Sequence, residues 1–286
     1  MILVFGKTGQ VAVELSKFKD VVCIGREVSD LEIPKSCETA IYKYNPKVVI
    51  NAAAYTAVDE AENNETLAYK INSEAPALMA TTCNVLCIPF IHISTEYVFN
   101  GKNQNPWLTN DKTAPLCVYG HSKRNGELAI LNANSNAIIL RTSWIFSATG
   151  KNFLKTILEL SKKNSELSIV SDQVGGPTSA QSIARVCYKI ANSLIYDKNN
   201  ISKSGIYHFS GMPFVSWADF AEEIIINTNF KTVVNKIRSS EYNTLAKRPL
   251  NSRLDSSRLK EDFNELSSDW KKDLRIVLKE LGELAP

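Results

Sequence analysis

Tyr119 and Lys123 stand four residues apart, and Ser94-Thr95 closes an apolar run upstream of them. On a helix, residues four apart share one face, so the Lys123 ammonium can stand beside the Tyr119 phenol. A free tyrosine titrates near ~10, and a neighbouring cation favours the phenolate and lowers that value. Such a tyrosine can exchange a proton with a carbonyl or alcohol oxygen, and the Thr95 hydroxyl could hold the same oxygen. By itself the spacing is common on exposed helices. It carries chemistry only where a nucleotide-binding fold precedes it.

The elements that would position this pair begin at the first residue. Met1 to Phe5 is an apolar run of strand length, Gly6-Lys7-Thr8-Gly9-Gln10-Val11-Ala12 follows, and Val13-Glu14-Leu15 opens a helical pattern. Strand, glycine turn and helix are the context of a dinucleotide fingerprint. Gly6 and Gly9 let the turn be tight, and the following helix start offers N–H groups to phosphates. A Walker loop does not fit, because no glycine precedes Gly6-Lys7-Thr8 by the needed loop. Further strands are expected at Val21–Ile24, Lys47–Asn51, Cys87–Ile93 and Ala137–Arg141. Helices are expected at Glu38–Tyr44, Asn63–Cys83 (interrupted at Pro76), Tyr119–Leu131, Trp217–Ile226 and Trp270–Leu281. Asp197-Lys198-Asn199-Asn200 reads as a surface loop. Alternating strands and helices with near-continuous apolar strands predict a parallel sheet covered on both faces, in a doubly wound α/β fold. The alternation loosens beyond residue 145. We therefore expect a Rossmann-like NAD(P)-binding domain over 1–145, with a returning segment near 170–205. Residues 146–286 are expected to form mainly a smaller, discontinuous substrate-binding lobe.

In such a sheet ligands gather at the carboxyl ends of the strands. Gly9-Gln10-Val11, Ala54-Tyr55-Thr56 and Ser94-Thr95-Glu96 all fall there. Gly25-Arg26, after the second strand, lacks the acidic residue that would bond a ribose 2′-hydroxyl. Arg26 could meet a 2′-phosphate instead, a lean toward NADPH over NADH, and Asp30-Leu31 would flank the adenine. The chain of 286 residues is 44% hydrophobic and 22% charged, with net charge +3. That is ordinary for a globular enzyme and too mild to imply nucleic acid. No apolar stretch reaches membrane-spanning length and the start reads as a strand rather than an export leader. Cysteines 23, 37, 83, 87, 117 and 187 lack metal-ligand or disulfide-scaffold spacing, as expected of reduced thiols in the cytoplasm. His92, His121 and His208 show no ligand spacing and read as structural or surface residues.

Seven blocks then carry a family resemblance. They are Gly6 to Val11, Asn51 to Asp59, Ser94 to Phe99, Pro115 to Gly120, Arg141-Thr142-Ser143-Trp144 with Asn152-Phe153, Asp172 to Thr178, and Arg248 to Leu254. In order, they resemble the dTDP-4-dehydrorhamnose reductases, extended short-chain dehydrogenases/reductases, over nearly the whole chain. The resemblance implies NAD(P)H-dependent reduction of the 4-keto group of a nucleotide-sugar. Tyr119 would be the proton donor, Lys123 would stand beside it, and Thr95 would tune the ketone. It puts the dinucleotide on Gly9, Gln10, Val11, Asp30, Leu31, Ala54, Tyr55, Thr56, Ile93, Tyr119 and Lys123, and the substrate on Thr95, Glu96 and Trp144. Members can be homodimers with magnesium held by glutamates at the contact; Glu14 matches one such position and no full ligand set can be assigned. Three residues depart from the pattern: Ala12 replaces a glycine, Tyr55 a histidine and Glu96 an aspartate. The last could shift which hexose fits.

Two other classes share these features. One is a nucleotide-sugar dehydratase or epimerase on the same scaffold; dehydratases resemble Thr-Asp-Glu where this chain has Thr95-Glu96-Tyr97, so the second acid needed for elimination is missing. A non-catalytic dinucleotide-sensing subunit would be free to lose Thr95, Tyr119 or Lys123, and all three are present. Arg248 and Arg253 could meet a diphosphate or make surface ion pairs.

Overall fold

The computed structural model describes residues 1–134, 136–196 and 203–286; the Asp197–Asn200 stretch lies outside them. Ile2–Phe5 (β1), Val21–Ile24 (β2), Val48–Asn51 (β3), Phe90–Thr95 (β4), Ile138–Thr142 (β5) and the strand Gly205–His208 form one sheet with every pairing parallel. Its order is Gly205–His208, β5, β4, β3, β1, β2. The helices are α1 (Gln10–Leu15), α2 (Pro34–Tyr44), α3 (Val58–Ala61), α4 (Glu65–Tyr69), α5 (Ala75–Val85), α6 (Val118–Ala133), α7 (Phe153–Ser161), α8 (Ala180–Tyr196), α9 (Trp217–Ile226), α10 (Ser257–Phe263) and α11 (Trp270–Leu281). Successive strand residues face opposite sides of a sheet. Ile2, Val4, Val48, Ile50 and Ile91 pack with α1 and α8, while Leu3, Phe5, Val49 and Phe90 pack with α2 and α5. Each buried Val, Leu or Ile side chain contributes about 1.5–3 kcal/mol. Both faces therefore demand apolar residues, which is why the strands read as continuous apolar runs. The result is a doubly wound, Rossmann-like fold whose strand order reverses between β1 and β3, the place where such sheets bind ligands.

Several boundaries differ from the sequence expectation, each for a local reason. Helix α2 starts at Pro34 rather than Glu38, because proline is tolerated in a first turn where its missing N–H has no partner to lose. The stretch expected as one helix from Asn63 to Cys83 is three pieces: α4, a π-helical turn Lys70–Glu74, and α5 with Pro76 in its first turn. Strand β4 begins at Phe90, since Cys87 has a left-handed φ of 54° and Pro89 cannot donate to a ladder. It runs on to Thr95, which pairs with Thr142 at the sheet's carboxyl end.

After residue 145 the chain builds a second core in which α7, α9 and α11 bury Leu154, Ile157, Phe220, Ile224, Trp270 and Leu274 together. These helices pack beside the parallel pair Glu166–Val170 and Val233–Ile237. Between them the chain returns to the large sheet, where α8 covers α1 and Gly205–His208 pairs with β5.

Candidate active site

At the switch point β1 ends in Gly6, whose φ is +108°. A Cβ there would lie 3.0 Å from the Ala53 nitrogen and 3.1 Å from Ala52. The position thus requires glycine, both for its conformation and because the loop after β3 lies against it. Gly9 N–H donates to the Gly6 carbonyl at 2.7 Å, closing the turn, and α1 starts immediately after. The small residues Ala52, Ala53 and Ala54 carry the chain past this turn to Tyr55. Asn72, fully buried in the π-helical turn, binds both ends of Tyr55: its Oδ1 accepts from Tyr55 N at 2.8 Å and its Nδ2 donates to Tyr55 O at 3.1 Å. The same Nδ2 reaches Ser122 Oγ at 3.0 Å, and Ser122 donates to the Tyr119 carbonyl at 2.9 Å. The break in regular helix thus turns one amide toward both the Tyr55 loop and the Tyr119 turn, a use typical of π-bulges.

A cavity of about 1040 Å³ opens at the carboxyl ends of the strands. Gln10, Thr56, Thr95, Glu96, Tyr119 and Trp144 all line it. Lys123 and Ile93 lie behind this wall, where Lys123 Nζ donates to the Ile93 carbonyl at 2.8 Å and meets His92 Nε2 at 2.9 Å. Gln10 Oε1 accepts from Ser147 Oγ at 2.7 Å and Asn152 Nδ2 at 2.9 Å, tying the glycine turn to the start of the second lobe. Arg26, Asp30 and Leu31 sit off the cavity beyond β2. Arg26 is exposed, 3.6 Å from Glu32, and Asp30 caps the next turn by accepting from Glu32 N at 2.9 Å. Leu31 is buried in the core.

The electrostatics of the site depart from the sequence expectation. Thr95 donates to Glu96 Oε2 at 2.9 Å and accepts from Tyr97 N at 3.2 Å. Its hydroxyl thus has the Glu96 carboxylate as one acceptor, beside the Tyr119 phenol. Burial pushes the Glu96 carboxyl up to about 7, against hydrogen bonds from Thr95 and Ser252 that favour the charged form. The expected lowering of the Tyr119 phenol is not found. Burial, and then the Glu96 charge, push it up, while only a bond from Thr95 acts the other way. Lys123 is not bonded to Tyr119, and burial brings its ammonium down to about 8. The sequence reasoning missed His92 as a partner of Lys123, because its place depends on the pairing of β3 with β4. Asn51 lies opposite His92 in that register.

Behind Thr95 lies a second buried network. Arg141 of β5 binds Glu127 of α6 with two bonds, Nε to Oε1 at 2.9 Å and Nη2 to Oε2 at 2.6 Å, and Ser94 Oγ donates to Glu127 Oε1 at 2.5 Å. His208 sits against Arg141 and the Trp107 carbonyl, and burial and Arg141 push it down to about 3. His121 is exposed on α6.

On the far wall Trp144 has φ +49°, a strained value for a bulky residue. Its ring stacks on Trp217 at 3.6 Å and packs against Gly175, where a Cβ would lie 2.6 Å from the indole. One ring face is thus taken, and Trp144 and Trp217 line the cavity together. Arg248 reaches the cavity while paired with Asp59 at 2.8 Å, alongside Lys151 and Lys247. Arg253 does not line it; its guanidinium is bonded to the Asn251 side chain and the Gln104 carbonyl. Among the described residues no cluster of His, Cys, Asp or Glu could hold a metal ion, and Glu14 is paired with Lys17. No helix of the described residues is long and apolar enough to cross a membrane. All six cysteines are free.

A glycine turn at the switch point of a parallel sheet, with the Tyr119–Lys123 helix bordering the same cavity, defines an extended short-chain dehydrogenase/reductase. The model of the RmlD substrate binding domain family matches residues 1–283, and the chain belongs to that family. It is 40% identical to the dTDP-4-dehydrorhamnose reductase of Aggregatibacter actinomycetemcomitans, over 96% of this chain and 97% of that protein. A solved dTDP-4-dehydrorhamnose reductase from Clostridium acetobutylicum superposes with TM-score 0.91 at 33% identity, covering 98% of this chain and 99% of the other. The Bacillus anthracis enzyme in complex with NADP superposes with TM-score 0.90 at 29% identity, covering 98% of each chain.

Proposed function

We propose that this protein reduces the 4-keto group of dTDP-4-dehydrorhamnose to give dTDP-L-rhamnose, using NADPH or NADH, in the cytoplasm. The observation that carries this reading is the meeting of Thr95, Glu96 and Tyr119 on one cavity wall, beside a glycine turn that a Cβ would block. The Gly6–Val11 turn and the Ala54–Thr56 loop would hold the dinucleotide, which supplies hydride when bound. Residues 1–145 with the returning α8 and the strand Gly205–His208 would serve that part, and residues after 146 mainly the sugar nucleotide. Lys151, Lys247 and Arg248 give the cavity mouth a positive lining suited to a diphosphate.

As hydride reaches the sugar carbon, negative charge grows on the ketone oxygen. Tyr119 delivers its proton there, so one hydride and one proton convert the ketone to the alcohol. Tyr119 is suited to this because burial keeps it a phenol. Glu96 in its protonated form donates to Thr95, which frees the Thr95 hydroxyl to turn toward the oxygen and stabilise its charge. The test is NADPH oxidation by the purified chain with dTDP-4-dehydro-6-deoxy-L-mannose. Stoichiometric loss of NADPH with formation of dTDP-L-rhamnose is expected. Cofactor binding without turnover would favour the sensing-subunit reading instead.

A further inference from the structure

The residues around Gln173 are pinned by hydrogen bonds, and its own side chain makes none. Ser171 donates to the Ile237 carbonyl from its backbone N at 2.9 Å and from its Oγ at 3.0 Å. The Asp172 carboxylate accepts from Ser239 N and Ser239 Oγ, each at 2.9 Å. Val174 N donates to the Leu250 carbonyl at 2.8 Å. Gln173 is 8% exposed and lines the cavity, yet among the described residues its carboxamide has no hydrogen-bond partner. A buried amide without a partner costs stability. The fixed turn holds such an amide against the cavity, where a ligand can complete it.

Its position bears on which part of a ligand it meets. Gln173 leads into the short strand Val174–Gly175. Successive strand residues face opposite sides, so Gln173 shares the side of Gly175, where the Trp144 indole packs. Gly175 stands opposite Ser252 in the strand Asn251–Ser252, and Ser252 hydrogen-bonds to the Glu96 carboxyl. Gln173 thus faces the cavity about two residue rises, roughly 7 Å, from the wall formed by Trp144 and Glu96. A carboxamide is uncharged and offers an acceptor beside two donors, which suits a hydroxyl that both donates and accepts. The diphosphate calls for charge, and Lys151, Lys247 and Arg248 supply it elsewhere on the lining. Resting on the reductase reading above, we propose that Gln173 is a further substrate-binding residue. Its carboxamide takes a sugar hydroxyl of the nucleotide-sugar, on the hexose or on the deoxyribose.

Gln173→Met keeps the length of the side chain and removes its amide. Calorimetric titration of the NADP-saturated full-length protein with dTDP-L-rhamnose and with dTDP reads the effect without turnover. The variant should bind dTDP-L-rhamnose roughly 2–10-fold more weakly, the size of one neutral hydrogen bond, with NADPH affinity unchanged. Weakening confined to dTDP-L-rhamnose puts the hydroxyl on the hexose. Equal weakening for dTDP that vanishes with its 3′-deoxy analogue puts it on the deoxyribose. Without ligands the variant should unfold at the same temperature or higher, because an unpaired buried amide is removed, whereas a structural role would lower it. Unchanged affinity for dTDP-L-rhamnose, weakening that persists with the 3′-deoxy analogue, or a lowered unfolding temperature would each overturn the proposal. A wild type that binds NADPH but neither thymidine compound would overturn the reductase reading, and this proposal with it.

Discussion

Replacing Glu96 by glutamine should change how stability depends on pH, and the structure sets the sign. The Glu96 carboxyl has an ordinary value of 4.5 and is pushed up to about 7 because its fully buried charged form loses solvation. A folded-state value above the unfolded one means that the native state binds more protons between the two. Its contribution is fully present below 4.5 and is lost as pH rises through 7. At about 1.36 kcal/mol per pH unit, that span amounts to about 3 kcal/mol. Glutamine has nearly the same shape and keeps an acceptor for the Thr95 hydroxyl, but it does not ionise. Urea unfolding of the two proteins at the ends of this window is the assay. Wild type should lose about 3 kcal/mol more than Glu96→Gln across it. Parallel stability curves would refute the argument, and so would a wild type that gains stability toward alkaline pH relative to the variant.

Tyr119→Phe removes one hydroxyl, so turnover should fall ~10²–10⁴-fold while NADPH binding by fluorescence titration stays near normal; near-normal turnover would contradict its role as proton donor. Thr95→Val should lower turnover with cofactor affinity retained, whereas Lys123→Ala should weaken both, read from kcat and from the dissociation constant. Arg26→Ala should weaken NADPH more than NADH in paired titrations, and equal effects would remove Arg26 from a 2′-phosphate site. Arg141→Met leaves Glu127 buried without its cation and should destabilise by about 3–5 kcal/mol. The double variant with Glu127→Leu should recover much of that loss in thermal unfolding, and no recovery would mean that the pair is not the source.

Much of the fold was legible in the sequence because its determinants are local. Four-residue apolar strands between amphipathic helices specify a sheet covered on both faces, and Gly6 with Gly9 marks a turn that ordinary residues cannot make at Gly6. The spacing of Tyr119 and Lys123 is likewise a property of a single helix. Trp217–Ile226 and Trp270–Leu281 were readable for the same reason, each being one amphipathic stripe. What the pair does electrostatically was not legible, because it depends on groups from other elements. The sequence suggested a cation beside a phenol. The sheet instead brings His92 and the Ile93 carbonyl to Lys123, and Glu96 with Thr95 to Tyr119, at distances set by strand register and helix packing. Asn72 could not be read as the residue that joins the Tyr55 loop to the Tyr119 turn, since it acts through a π-helical turn with no clear sequence signature. Trp144 illustrates the same division: its place after β5 marked it for the cavity, but the stack on Trp217 exists only because the second lobe folds back over the first. Local patterns determined which main elements form and where the strand ends that border the cavity fall. Desolvation and hydrogen-bond direction, which arise only on burial among distant partners, decided their charge states.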